Sequence, residues 1–540
     1  VLGIEWSFAR WGALLCAALA LCPLASRAAQ AAPARAIAFV PLDDRPVTYQ
    51  LPVMLGAIAG QPVLTPPRSA IGRYLTPGDP DAILRWLASS QTQGASAIVA
   101  SSDMLAYGGL VASRIPGVWP IDGFARLRAL AAVHAARPAA FTAVFGTIMR
   151  LAPTGVPALG PAKDYYATGE TVDLIQQYAN LPDPPQTQEQ RAFAARLRER
   201  IGPALDQYLA TRERNREVDD YALGVTAEGG IDRIVLGQDD AGPTGLHLRD
   251  VAELQARAAA YMLGDRASIE PGADELGMVM LASAFARNVA WTPAVGVVYS
   301  RADGGAFNDQ LEFVPVDVTI GHIIGVCGGR RVEPQSADVR LYVRVPETGD
   351  ADEKAFEDAI AADVGAGKRV AVADLTFLRG GPGPYQRALT DALIERGIAG
   401  KIDAFASWNT NANTVGTALA EAIAAGAGRR AGTYDARAHA QFMLDRYVDD
   451  YAFHQFVRPA LNAGLRARGI DITLLVPPVA QEAAHDNRAL LWPLALDLLA
   501  RVYPEYRDAG LTITLPWDRT FETQIDVRMK RVTERVGTTP

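Results

Sequence analysis

The chain has 540 residues and a formal net charge of −8, with 49% apolar and 21% charged residues. That balance describes a globular protein with room for a sizeable core, and it excludes the basic stripe that nucleic acid or an anionic membrane surface selects. The expected partner is a neutral or weakly charged small molecule or glycan.

In chain order, Arg10 precedes an apolar run, "WGALLCAALALCPLA", and a stretch rich in small residues, "SRAAQAAPARA". This pattern predicts a secretory signal peptide over residues 1–34, with Ser26-Arg27-Ala28 or Ala29-Gln30-Ala31 at the cleavage site. The run is short for a membrane span, and no other stretch is long enough to be one. Leu15 and Leu21, rather than small residues, precede Cys16 and Cys22, which argues against lipidation. Cleavage would leave Cys327 alone, excluding an intramolecular disulfide framework and a cysteine-based metal site. The expected location is periplasmic or extracellular.

Apolar, β-branched runs then alternate with amphipathic stretches. The predicted strands are 36–42, 62–67, 96–102, 140–148, 233–238, 267–273, 294–300, 339–345, 369–375 and 402–408. Most are continuously apolar, as parallel strands covered on both faces are. Repeated βα units predict an α/β fold: a (β/α)8-type, TIM-like barrel over residues 35–430, with tandem doubly wound domains as the alternative. Residues 151–231 form an insertion whose charged stretch, "QEQRAFAARLRERIGPALDQYLATRERNREVDD", predicts a solvated helical hairpin placed to overhang the strand ends. Residues 431–540 predict a mainly helical region ending in a β-hairpin. The oligomeric state is not legible.

Polar residues collect where the strands end. The first strand runs into Asp43, Asp44 and Arg45; the third into Asp103, with Tyr107 shortly after. The fifth ends in Gln238, Asp239 and Asp240, and the sixth leads to Asp274 and Glu275. The ninth gives Asp374, and the tenth gives Trp408, Asn409 and Asn413 in "WNTNANTVG". In a parallel α/β fold these points share the carboxyl face, where ligands bind. Each has a structural alternative. Asp274 or Glu275 suits a helix N-terminus, Asp43 and Arg45 suit an ion pair, and Asn413 or Thr414 suits a cap. For Asp239–Asp240 the structural alternative is weaker, because Gly242-Pro243-Thr244 separates the pair from the next helix.

No G-x-S-x-G elbow, P-loop or G-x-G-x-x-G fingerprint is present, and the six histidines are scattered. Nucleotide chemistry and a zinc site are therefore disfavoured, and no cofactor or metal is expected. Carboxylates accompanied by Trp, Tyr, Asn and Arg suit a carbohydrate site, and a carboxylate pair suits a glycosidic bond. Two alternatives stay open: a divalent-metal hydrolase with Asp43, Asp103 and Asp239 as oxygen ligands, and a non-catalytic periplasmic glycan binder.

The segments "VPLDDRPVTY", "SSDMLAYGGLVASR", "GQDDAGPTG", "GADELG", "WNTNANTVG" and "PWDRTFE" resemble a bacterial family known as domain of unknown function 4127, over nearly the whole mature chain. The family name carries no activity. Adjacent acids with a later Trp-Asn loop also resemble the retaining β-N-acetylhexosaminidases that use substrate assistance. That likeness implies an exported glycosidase acting on terminal β-linked N-acetylhexosamine, N-acetylgalactosamine included. It implies that Asp239 holds the substrate's amide nitrogen and that Asp240 is the acid/base, with Asp274–Glu275 as the rival pair. Two like charges so close would raise one pKa, as a general acid near neutral pH requires.

Overall fold

The computed structural model of the chain describes residues 35–154, 169–377 and 383–532. The expected signal peptide, at 1–34, lies outside the described residues, as does part of the 151–231 insertion.

All ten predicted strands form. A first sheet contains β1 (Ile37–Val40), β2 (Val63–Leu64), β3 (Ala97–Ser101), β4 (Phe141–Ile148), β5 (Arg233–Gln238) and β6 (Ala267–Pro271). A second contains β7 (Ala294–Tyr299), β8 (Arg330–Arg331), β9 (Val339–Arg344), β10 (Val370–Asp374) and β11 (Ala404–Ala406). Every pairing within both sheets is parallel. The orders are β2-β1-β3-β4-β5-β6 and β11-β10-β9-β7-β8. The strands thus divide between two sheets instead of following one another around a single barrel, and the tandem doubly wound arrangement is compatible with this. Reversed, the second order reads β8-β7-β9-β10-β11, which repeats the first five strands of the first sheet and is a doubly wound order.

A helix layer explains why two sheets form. The helix Asn411–Ala431 is buried from Asn411 through Gly428, on every face. It packs on the helix Leu276–Asn288, buried from Leu276 through Ala286. One apolar cluster runs from Phe39 and Val99 of the first sheet, through these helices, to Leu341 and Ala373 of the second. A helix apolar all round requires cover on both sides, and sheets on either side supply it.

The insertion's charge does not face solvent throughout. In the helix Pro203–Ala227, Arg212, Arg214, Asn215 and Asp219 are buried. Arg212 donates to the carbonyls of Met149 and Arg150 at 2.8 and 2.9 Å, so this helix braces the loop after β4. A buried guanidinium with five donors can hold loop carbonyls that no strand satisfies. Residues 436–502 are largely helical, including a π-helical stretch, Tyr447–Val457. The end of the chain forms two antiparallel ribbons, Thr512–Thr514 with Gln524–Asp526 and Tyr506–Asp508 with Met529–Arg531. Among the described residues no helix is long and apolar enough to cross a membrane.

Candidate active site

A cavity of about 570 Å³ opens at the carboxyl ends of the first sheet. Of the predicted residues it gathers Arg45, Gln238, Asp239, Asp240, Asp274, Asn409 and Asn413. Parallel register explains the meeting: Gln238 lies beside Ile148 of β4 and Pro271 of β6, so three strand-end loops begin level. Gln238 then donates to the Asp239 carbonyl at 2.7 Å and to the Ile148 carbonyl at 3.3 Å, fixing the turn. Close packing of the loops needs glycine. A Cβ on Gly237 would stand 2.2 Å from the Gly272 carbonyl oxygen, and Gly272 itself has φ 119°.

Most carboxyl groups here are already engaged. Arg45 holds Asp274 through two nitrogens, at 2.9 and 2.6 Å, and Asp43 from the other side at 2.8 Å. Asp239 is buried and paired with Arg114. Glu312 accepts from the Ala412 amide at 2.5 Å and Thr319 at 3.0 Å, and burial pushes its carboxyl up to about 7. Asp240 differs. It makes no hydrogen bond to another described side chain, its nearest cation being Arg150 at 3.8 Å. Its side chain is 33% exposed, toward the cavity. Desolvation, then the neighbouring Asp239 charge, lifts its carboxyl to about 6, against the pull of Arg150.

Arg150 takes its place directly after β4, anchored by its Nε donating to the Ala152 carbonyl at 2.8 Å. Burial, with Arg114 nearby, lowers it to about 10. Tyr74 and Trp517 line the cavity as a stacked pair with centroids 4.9 Å apart, and the Arg519 guanidinium lies 4.6 Å over the Trp517 ring. Sequence reasoning assigned no role to these residues or to Arg114 and Glu312. Arg150 obeys the strand-end rule and was within reach. Arg114, Trp517 and Arg519 stand inside quoted motifs, whereas Tyr74 and Glu312 carry no local signal.

The remaining candidates lie elsewhere. Asp43 is spent on Arg45 and Thr48. Asp44 accepts from the Trp517 indole at 2.7 Å, behind the wall. Asp103 receives the Thr147 amide and hydroxyl at 2.8 and 3.0 Å, tying the end of β3 to β4. Tyr107 is buried, with Arg214 over its ring at 4.5 Å. Asp374 belongs to the second sheet, where it meets Arg344 at 3.2 Å. Trp408 is no sugar platform: its ring is in the core and its indole donates to Thr417 at 3.2 Å. The helix cap beside it is Thr410, in a capping box with Asn413, rather than Asn413 or Thr414 alone. Asn413 also donates to Glu275 at 2.6 Å. Glu275 is fully buried behind the cavity, its carboxyl pushed by burial up to about 8. The Asp274–Glu275 pair is thus divided, one member held by Arg45 and the other sealed in the core.

Among the described residues no group of three or more His, Cys, Asp or Glu is arranged to hold a metal ion. Asp43, Asp103 and Asp239 each face a different partner. Searches of curated proteins and of solved structures find no match. A family described as "Protein of unknown function (DUF4127)" matches residues 37–526. The chain belongs to that family.

Proposed function

We propose that the cavity is the active site of a glycoside hydrolase, a retaining β-N-acetylhexosaminidase that uses the substrate's own 2-acetamido group as nucleophile. N-acetylgalactosaminides are among its candidate substrates. The observation that carries this reading is Asp240, a carboxyl with no hydrogen-bond partner among the described side chains, facing a ligand-sized cavity and raised by burial to about 6.

In this scheme Asp240 gives its proton to the glycosidic oxygen while the acetamido oxygen attacks the anomeric carbon. Asp239, fixed by Arg114, accepts the acetamido N–H and so aims that oxygen. Water then opens the cyclic intermediate, giving its proton to Asp240 and its hydroxyl to the anomeric carbon. Tyr74, backed by the buried Trp517 ring it stacks on, lines the side of the cavity that takes the sugar ring. An exported location, expected from the leader, would suit an enzyme acting on glycans outside the cytoplasm.

The test is turnover of a panel of nitrophenyl β-glycosides by the purified chain, with and without chelator. Expected is hydrolysis of 2-acetamido sugars, far slower hydrolysis of the matching plain hexosides, indifference to chelator, and inhibition by a thiazoline analogue of the intermediate. No turnover on any glycoside, or a fluorosugar trapped covalently on an Asp or Glu, would overturn the reading.

A further inference from the structure

Asp240 stands where two cavities meet. The second, of about 430 Å³, shares Arg150, Asp240 and Leu311 with the first. Its walls are the loop after β5, the end of the helix Gly169–Ala179, and the segment around Gln310. The Thr244 hydroxyl donates to the Asn180 carbonyl at 3.2 Å, and the Ala241 amide to the Leu311 carbonyl at 3.2 Å, so both sides are braced. Away from the shared Arg150 and Asp240, no charged residue among those described lines it. The polar side chains there are the amides of Gln176, Asn180 and Gln310 and the hydroxyl of Thr244, all solvent-exposed.

A general acid must reach the oxygen of the bond it breaks, so the scissile bond has to lie across the junction. The first cavity, with Asp239 and the aromatic wall, then takes the sugar that carries the acetamido group. We infer that the second cavity is the leaving-group subsite and that it takes a neutral saccharide, so that the natural substrate is a glycan rather than a small or lipid glycoside. This rests on the glycosidase reading above. Uncharged amides and a hydroxyl match sugar hydroxyls, which both donate and accept. An apolar leaving group would desolvate those amides without replacing their hydrogen bonds. As the anomeric C–O bond breaks, the Asp240 proton passes to the departing oxygen and the leaving saccharide exits as an alcohol. Water enters by the vacated cavity, on the face the leaving group left, which is the stereochemistry of a retaining enzyme.

The experiment compares two substrates of the full chain: a nitrophenyl 2-acetamido β-glycoside, and a disaccharide with the same sugar β-linked to a neutral hexose. The variants are Asn180→Ala with Gln310→Ala, and Thr244→Trp, which fills the second cavity; all three positions are exposed, so folding is retained. Expected is a fall of about tenfold or more in kcat/KM on the disaccharide with both variants; in the amide double variant it is carried by KM and the aryl glycoside, which needs no amide hydrogen bonds, stays within about twofold, whereas Thr244→Trp crowds either leaving group and lowers both. Unchanged disaccharide hydrolysis in either variant, or equal losses on both substrates in the amide double variant, would overturn the inference while leaving the glycosidase reading intact. A hexuronate leaving group preferred over the neutral hexose would overturn the assignment of a neutral saccharide. Failure of the unsubstituted chain on every aryl glycoside would overturn the glycosidase reading and this inference with it.

Discussion

The chain lays down one parallel strand order twice, with switch points between β1 and β3 in the first sheet and between β7 and β9 in the second. Both sheets set polar residues at their carboxyl ends. In the second sheet those residues satisfy one another. Arg344, wholly buried, reaches Glu353 at 2.8 Å, Asp374 at 3.2 Å and the Tyr385 carbonyl at 3.0 Å. Ser300, at the end of β7, bonds Thr348 at 2.7 Å and receives the Val345 amide at 3.0 Å. In the first sheet Arg45 and Arg114 hold Asp43, Asp274 and Asp239, Thr147 holds Asp103, and Asn413 holds Glu275, whereas Asp240 faces the cavity with Arg150 at 3.8 Å. The carboxyl ends of a parallel sheet offer a place for a ligand, and the difference between a site and a brace is whether a polar group there lacks a partner among the described residues.

The sharpest way to break this contrast is to remove the free acid. Asp240→Asn is expected to lower kcat/KM by about 10²–10⁴ for poor leaving groups, and much less for activated ones. Stability should change little, because among the described residues the carboxyl meets only Arg150, at 3.8 Å. In the parent, kcat should fall as pH rises through about 6, where Asp240 loses the proton it donates. A variant that unfolds, or an alkaline limb unchanged by the substitution, would place Asp240 with the braces.

The mirror experiment is Arg344→Met. Removing the cation strands Asp374 and Glu353 in a buried setting, which costs about 3–5 kcal/mol. Calorimetry should show a lower Tm, while kcat per folded molecule stays the same. Activity lost at unchanged Tm would mean that the second sheet's end is also a site.

The sequence showed where strands end, and therefore where polar residues gather, because a continuous apolar run is a local signal. It could not show the pairing among those residues. Asp103 and Asp240 look alike in the chain, each an acid just past a strand. Only the placement of Thr147 opposite Asp103 makes the one a tie, and only the cavity beside Asp240 leaves the other open to a ligand. The barrel expectation failed for a related reason. Ten βα units are compatible with closure or with division into two sheets, and the decision rests on a helix buried on all its faces, which the run from Asn411 to Gly428 shows only in three dimensions. Trp408 and Trp517 likewise each follow an apolar strand or ribbon and are both buried; the Asp44 carboxylate holds Trp517 beneath Tyr74 of the cavity lining.

That hold offers a smaller test of how the open end keeps its shape. Trp517→Phe keeps a ring but deletes the indole N–H, leaving a buried Asp44 oxygen without its donor, at a cost of about 1–3 kcal/mol. KM should rise modestly as the wall loosens, with kcat nearly unchanged. Trp517→Ala should raise KM much further, since it removes the ring on which Tyr74 and Arg519 are stacked. Equal KM values in the two variants would show that Tyr74 and Arg519 keep their places without that ring.

The smallest expected effect lies beneath the cavity, at Glu275. Its carboxyl is pushed from the ordinary 4.5 up to about 8, first by burial and then by Asp274 beside it. The folded protein therefore keeps a proton that the unfolded chain releases, and stability falls as pH rises between those two values. The contribution is complete below about 4.5 and gone once pH has passed about 8. Glu275→Gln is neutral throughout and keeps an oxygen able to accept from Ala273 and Asn413. The difference in Tm between variant and parent should accordingly grow in favour of the variant from pH 5 to pH 8. In a chain of this size each kcal/mol moves Tm by only about one to two degrees, so the shift is a few degrees. Parallel Tm curves for the two proteins would mean that Glu275 is already ionised in the fold. The open end would then rest on a buried charge held by Asn413, much as the closed end rests on Arg344.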